Sequence, residues 1–325
     1  MALWFPSAGE FLRDLAPKPP TQAYVQALWP AEWDGTSYVD VASTARRYAD
    51  ANAVFEGLPL HYCTNAQLDR WSALGWSEWM AQHWMLPLCA CGVYLVAILG
   101  LQRRTARVDV RRFALWWNVS LAAFSVAGFA LCAPVLLHEL RSNGLYFTVC
   151  APSIRYGLGY HGLFVLLFIF SKFAELVDTA LLLLAGRRVL ALHWWHHVSV
   201  LLYCWHSYSA QVSTGIRFAS MNYGVHSIMY AYFAATQYSR AFRAAARDFA
   251  VYITLLQLAQ MLVGIWVTAC AVFYQKAGRP CGVNRVNSIL GLSMYTSYFL
   301  LFLQFFVASY LVKKPSDAGN RRKEQ

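Results

Sequence analysis

The sequence predicts an all-α polytopic membrane protein with seven transmembrane helices, and three observations carry that prediction. First, 58% of its 325 residues are hydrophobic and only 13% are charged, about half the charged share of an average soluble domain. Second, long apolar runs recur from residue 84 onward, each near the ~20 residues that cross a bilayer core. Third, the basic residues sit in short clusters between those runs, as the positive-inside rule requires. The net charge of +11 is therefore a topology signal. The same pattern argues against nucleic acid as a partner, because the basic residues are divided among short clusters between apolar runs.

Residues 1–80 are mixed and polar and read as an extramembrane N-terminal arm with short helices. The word LAPKPPTQ at 15–22 marks a linker within it. No cleavable signal peptide is expected: Met1 to Pro6 has no basic region, and Glu10, Arg13 and Asp14 interrupt the first apolar stretch. Residues 81–312 form the membrane domain, with spans predicted at 84–102, 114–137, 162–184, 190–210, 217–236, 249–274 and 288–312. Residues 313–325 are a basic tail.

The loops set the orientation. One set of connections holds Arg103, Arg104, Arg107, Arg111, Arg112, Arg187, Arg188, Arg240, Arg243 and Arg247, and the tail adds Lys313, Lys314, Arg321, Arg322 and Lys323. The alternate set holds only Arg141, Arg155, Arg217, Lys276, Arg279 and Arg285. Fifteen against six places the first set in the cytosol. The N-terminus and its arm are then lumenal and the C-terminus cytosolic.

Ionisable residues inside a span are rare and usually functional. Span three contains Lys172, Glu175, Asp178 and Thr179, which share roughly one helical face. Such a cluster also arises as an internal ion-pair lock between helices, but two acids and one lysine do not cancel. Span four opens with LHWWHHVSV, where His193, His196 and His197 stand at i, i+3 and i+4 and point one way. Imidazoles ligate metals, move protons and act as nucleophiles near neutral pH. Span five carries Asn222, His226 and Tyr230 as a stripe, and span six carries Thr254, Gln257 and Gln260 one turn apart. Ordinary helix–helix hydrogen bonding explains many such polar residues, the Thr/Gln row above all. Depth nevertheless unites them. Asp178 lies about 14 Å along its helix from Arg187, His196 about 12 Å from Arg188 and Gln257 about 15 Å from Arg247, at 1.5 Å per residue. The clusters converge in the cytosolic half or near mid-membrane. A site there is open to a cytosolic headgroup while an apolar tail runs deeper.

Three chemistries compete for this constellation. A di-iron lipid desaturase or hydroxylase uses HxxHH, but it needs several histidine boxes, and here His61, His83, His138, His161, His206 and His226 stand singly. A proton-coupled transporter would use Glu175, Asp178 and the histidines as a relay. Against it, the polar groups gather towards one side and no broken-helix repeat is visible. Acyl transfer uses a histidine as nucleophile or base.

The segments KFAELVDT (172–179), HWWHH (193–197), MNYGVHSIMY (221–230) and TLLQLAQ (254–260) resemble, in order and spacing, the motifs of the fatty-acid elongase family, the ketoacyl-CoA synthases of the endoplasmic reticulum. The resemblance covers about residues 80–312 and is nearest the branch acting on saturated and monounsaturated acyl-CoA. The arm is longer than the family's usual one. The resemblance implies condensation of acyl-CoA with malonyl-CoA to 3-oxoacyl-CoA, CO2 and CoA. It implies seven helices, six of them forming an inverted barrel around an acyl tunnel. It also implies no metal and no cofactor, and an endoplasmic reticulum membrane location. Expected partners are membrane lipid, the ketoacyl-CoA reductase, dehydratase and enoyl reductase of the same cycle, and a second copy in a homodimer.

Within that reading, His196 is the expected nucleophile, with His193 and His197 tuning it. His226 and Asn222 hold the thioester oxygen or the enolate, and Asp178 or Glu175 fixes a histidine tautomer. Lys172 pairs with the acids. Tyr230 lines the substrate site, and Gln257 and Gln260 bind the thioester or pantetheine amides.

No cysteine pair has CxxC spacing, which argues against a zinc or redox motif. Cys89, Cys91, Cys132, Cys204 and Cys270 lie in apolar runs and are packing residues. Cys150 and Cys281 are expected in two lumenal loops, between spans two and three and between spans six and seven. A disulfide joining them is expected in that oxidising compartment, and the family resemblance favours it. Cys63 in the arm is a rival partner.

Overall fold

The structure, a computed structural model, describes residues 74–102, 107–153, 156–157 and 159–312. Most of the N-terminal arm, with Cys63 and His61, and the basic tail lie outside the described residues, which contain helices and no strand.

Helix α1 (Leu74–Gln82) leads by a sharp bend into α2 (Met85–Leu101); the two are inclined at 59°. Then come α3 (Arg111–Cys150), α4 (Gly159–Ala174), α5 (Leu176–Leu184), α6 (Ala191–Ser209) and α7 (Gly215–Tyr238). Short α8 (Arg240–Ala246) precedes α9 (Ala250–Lys276), and α10 (Arg285–Phe306) ends in a π-helical turn at Val307–Leu311. A helix or helix pair thus stands at every predicted span. By length and composition, three described helical stretches can cross a membrane: Arg111–Cys150, Arg240–Lys276 and Arg285–Leu311. The bent pair α1–α2 makes a fourth if it counts as one span. Helices α4 and α5 are too short one by one, at 16 and 9 residues, and α6 and α7 fall short of that measure with their histidine, amide and tyrosine side chains. Large apolar side chains such as Val93, Leu99 and Trp116 are exposed around the outside, which in a multi-pass membrane protein is the lipid-facing surface.

Two boundaries differ from expectation. The second span runs on to Cys150, so Cys150 ends a helix and does not sit in a loop. The cause is Gly144, whose φ of 79° breaks the regular helix and redirects its last turns across the end of the bundle. The third span is not one helix. Its register breaks at Glu175, whose carbonyl accepts from the Asp178 N–H at 3.1 Å, a three-residue closure.

Packing relies on glycines set against aromatic rings. A Cβ at Gly128 of α3 would overlap the ring of Tyr223 on α7, and one at Gly224 would come 2.9 Å from Phe129. These close approaches join α3 and α7 along their length. Gly264 of α9 meets Tyr295 of α10 in the same way. The main core is aromatic and runs through Trp205, Tyr223 and Tyr298, all buried. Helix α1 belongs to it: Met80 is fully buried, and its carbonyl accepts from the Trp205 indole at 2.9 Å.

The end of the bundle beyond Gly144 is clasped. Cys150 is bonded to Cys281 in the α9–α10 connection, 131 residues away. Gly282 N–H donates to the Cys150 carbonyl at 2.9 Å, Ser213 Oγ to that of Val149 at 2.6 Å, and Tyr146 OH to that of Pro280 at 2.5 Å. Buried Arg217 donates to the carbonyl and hydroxyl of Thr148. Closing so long a loop constrains the unfolded chain by up to ~5 kcal/mol on the chain-entropy view. Non-reducing peptide mapping of protein purified from membranes is expected to yield a linked Cys150–Cys281 peptide, and reduction is expected to lower the melting temperature. Ready alkylation of both thiols without reductant would refute the bridge.

Candidate active site

The helix break at Glu175 turns three polar side chains inward. Lys172, Glu175 and Thr179 are all buried, at 1%, 3% and 1% exposure. Lys172 Nζ donates to Glu175 Oε1 at 2.6 Å and to Asn222 Oδ1 of α7 at 3.1 Å. Ser171 Oγ reaches the same carboxylate oxygen at 3.3 Å. His226, one turn after Asn222, brings Nδ1 within 3.7 Å of it. An ammonium, a carboxylate, an amide and an imidazole are thus joined across two helices, in surroundings where an unpaired charge is costly.

Asp178 turns elsewhere. It accepts from the Trp117 indole of α3 at 2.6 Å and from Tyr230 OH at 2.8 Å. Of the two acids expected to fix a histidine tautomer, Asp178 or Glu175, Asp178 is engaged by an indole and a phenol. The carboxylate beside a histidine is Glu175; Asp178 orients Tyr230, whose ring lies edge-on to His226 at 5.3 Å.

The HxxHH residues occupy the first turns of α6. His193 Nε2 is hydrogen-bonded to Thr179 Oγ1 at 2.8 Å, and Thr179 Oγ1 to Tyr94 OH of α2 at 2.9 Å. His193 and His197 are 4.5 Å apart between ring centres, and His196 and His197 5.5 Å. His196 packs on Tyr298 of α10 at 4.7 Å, and Tyr298 OH donates to the His196 carbonyl at 3.1 Å. Ser199 shares a hydrogen bond with the same hydroxyl at 2.7 Å. His196 is thereby held from its backbone side. Among the described residues, His196 Nδ1, His197 Nδ1 and Glu175 Oε2 are buried with no hydrogen-bond partner. Groups of this kind carry a desolvation cost unless something else meets them.

The α9 residues stand apart from this network. Gln257 donates to Met229 Sδ at 3.4 Å, Gln260 is buried, and Thr254 Oγ1 bonds the Ala250 carbonyl of its own helix. Four contributors escaped the sequence reading: Tyr94, Trp117, Ser199 and Tyr298. Each is an aromatic or hydroxyl residue in an apolar run, and nothing in its own neighbourhood separates it from packing residues. Among the described residues, no group of three His, Cys, Asp or Glu side chains is placed to hold a metal ion.

The sequence pattern of the GNS1/SUR4 family matches residues 79–318. The chain belongs to this family. Its relatives include a protein named very long chain fatty acid elongase 6 from Drosophila melanogaster, 38% identical over 75% of this chain and 78% of the relative. Fatty acid elongase 1 of Trypanosoma brucei brucei is 42% identical over 65% and 70% of the two chains. Very long chain fatty acid elongase 6 of Gallus gallus is 37% identical over 73% and 88%. The matched residues of this GNS1/SUR4 member contain all the polar side chains described above.

The ion pair is open to a direct test. Lys172→Met leaves Glu175 buried and without its cation, which costs about 3–5 kcal/mol. The double variant Lys172→Met/Glu175→Leu removes both charges and is expected to melt closer to the parent protein. Melting curves of the purified variants in detergent decide this; a double variant no more stable than the single one would show that the pair is not the source of the loss.

Proposed function

We propose that the protein is a membrane-embedded 3-oxoacyl-CoA synthase that condenses a long-chain acyl-CoA with malonyl-CoA. The observation that carries this reading is the hydrogen bond from His193 of the HxxHH turn to Thr179, one turn after the Glu175 of the Lys172–Glu175–Asn222–His226 cluster, in one GNS1/SUR4 chain whose relatives are named fatty acid elongases.

The imidazole of His196 attacks the acyl thioester. The carbon–sulfur bond breaks, CoA leaves as thiolate and takes up a proton, and an acyl-imidazole remains. Malonyl-CoA then binds and loses CO2, and the electron pair of that bond becomes the enolate of acetyl-CoA. The enolate carbon attacks the acyl group, forming the new carbon–carbon bond, and the histidine departs. The products are 3-oxoacyl-CoA, CO2 and free CoA. Asn222 and His226, anchored by Lys172 and Glu175, are suited to hold the oxyanion as charge develops. His193, fixed by Thr179, and His197 orient the nucleophile. Gln257 and Gln260 are assigned to the thioester or pantetheine amides. No redox change occurs, so the reaction calls for no redox cofactor, and every step above is assigned to side chains of the protein.

In the same reading the seven helical segments are seven spans, six of them enclosing the acyl chain as an inverted barrel in the endoplasmic reticulum membrane. The N-terminus is lumenal and the C-terminus cytosolic, which puts the clasped end in the lumen and the histidines towards the cytosol. Its product is a 3-oxoacyl-CoA, so a reductase, a dehydratase and an enoyl reductase are the partners that follow it, and a homodimer is its proposed assembly.

His196→Ala is expected to abolish condensation while leaving the fold intact. Wild-type protein given acyl-CoA alone is expected to release CoA in a burst and to gain the mass of one acyl group. A fully active His196→Ala protein would remove the nucleophile assignment; CoA release that waits for malonyl-CoA would favour a concerted route. Chelators are expected to leave turnover unchanged. Substrate uptake by proteoliposomes without condensation would support the transporter reading instead.

A further inference from the structure

Helix α1 reaches a cavity that the catalytic cluster does not use. The cavity, partly open beside Ser153 and Tyr156, has a volume of about 70 Å³, room for the end of an alkyl chain and not for a headgroup. Ser77 of α1 lines it with Val165 and Ile169 of α4, Ser207 of α6, Gln211 and Ile216.

Its position is fixed by helix arithmetic. Ser207 follows His196 by eleven residues on one unbroken helix, about 16 Å along the axis and within about 20° of the same face. Val165 precedes Lys172 by seven residues on α4, about 10 Å along and again on nearly the same face. The cavity therefore lies in line with the polar cluster and towards the clasped end, at a distance that an extended long acyl chain spans.

Gln211 closes it in an unusual way. It is the non-glycine residue with positive φ, 50°, among those described, a conformation that costs an L-residue local energy. That backbone aims its side chain at α1, where Nε2 donates to Ser77 Oγ at 2.8 Å. Gln211 is 7% exposed, and its Oε1 is buried with no partner among the described residues. Helix α1 is itself firmly seated, with Trp76 edge-on to Phe170 at 5.7 Å and Met80 bound to Trp205. Ser77 also precedes the residues that match the GNS1/SUR4 pattern, which begin at 79.

We propose that α1, through the Ser77–Gln211 contact, is the floor of the acyl-chain channel and sets the longest chain this protein accepts. The proposal rests on the acyl-CoA reading above. A chain that stops short of the floor leaves apolar wall unfilled, and one that reaches past it must displace a seated helix, so acceptance falls off sharply at one length.

The test uses full-length protein and a long-chain acyl-CoA with a diazirine at its methyl terminus, irradiated without malonyl-CoA. Label is expected within residues 74–82 or 207–216; label confined to other segments overturns the proposal. In turnover with a ladder of acyl-CoAs, Ser77→Phe fills the cavity and is expected to lower activity about tenfold on the longest accepted chain while leaving shorter chains within about twofold. Gln211→Gly suits the left-handed backbone and removes the side chain, so it is expected to extend the ladder to a longer chain. An unchanged ladder, or equal loss at every length, also overturns the proposal. Wild-type protein that condenses no acyl-CoA at all would sink the synthase reading, and the labelling pattern would still decide the floor.

Discussion

The buried contact between Lys172 and Glu175 is the constraint around which the rest of the site is arranged. Either group alone would be too costly to keep among apolar helices. Together they hold each other at 2.6 Å and leave spare hydrogen-bonding capacity directed at α7. Lys172 uses its share on Asn222, and Glu175 presents the oxygen that faces His226. The break in the helix at Glu175 serves the same end. By closing over three residues it rotates Asp178 away from the pair and towards Trp117 and Tyr230. One local change of register thus gives two carboxylates separate partners, where like charges on one face would repel.

The two ends of the bundle are built by different means. At the histidine end, stability comes from side-chain hydrogen bonds that cross between helices: Tyr94 to Thr179 to His193, and Tyr298 to the α6 backbone. At the other end the chain is tied by backbone hydrogen bonds, a disulfide and the buried guanidinium of Arg217. Between them the glycine-to-aromatic approaches of α3 to α7 and of α9 to α10 set the helices close. This division suits a protein with reactive groups at one end. Unpartnered polar atoms such as His196 Nδ1 and Glu175 Oε2 destabilise their own neighbourhood, and the clasp ties α3 to α7 and to the α9–α10 connection at the opposite end.

Helical periodicity and hydropathy act residue by residue along the chain, and they were enough to place a helix at every predicted span. They also collected Lys172, Glu175, the three HxxHH histidines, Asn222 and His226 as candidates, because a polar side chain stands out against an apolar run whatever its partner. They did not foresee the continuation of α3 to Cys150, since one glycine at positive φ redirects a helix without altering its composition. Nor did they foresee that α1 enters the core, since its tryptophans and methionine look the same in a lumenal arm as in a packed helix.

What the sequence determined by itself was the identity and spacing of the chemistry-bearing groups. Helical geometry converts spacing of three or four residues into a common face with no help from the rest of the molecule. Pairing was left to the tertiary structure. Glu175 and Asp178 are equivalent in sequence terms, and only the packing of α7 against both and of α3 against Asp178 decides which faces a histidine and which a tryptophan. Tyr94, Trp117 and Tyr298 become part of the site for the same reason: the contacts that enlist them join residues far apart in the chain, and the distance between two helices is set by side chains that neither helix contains.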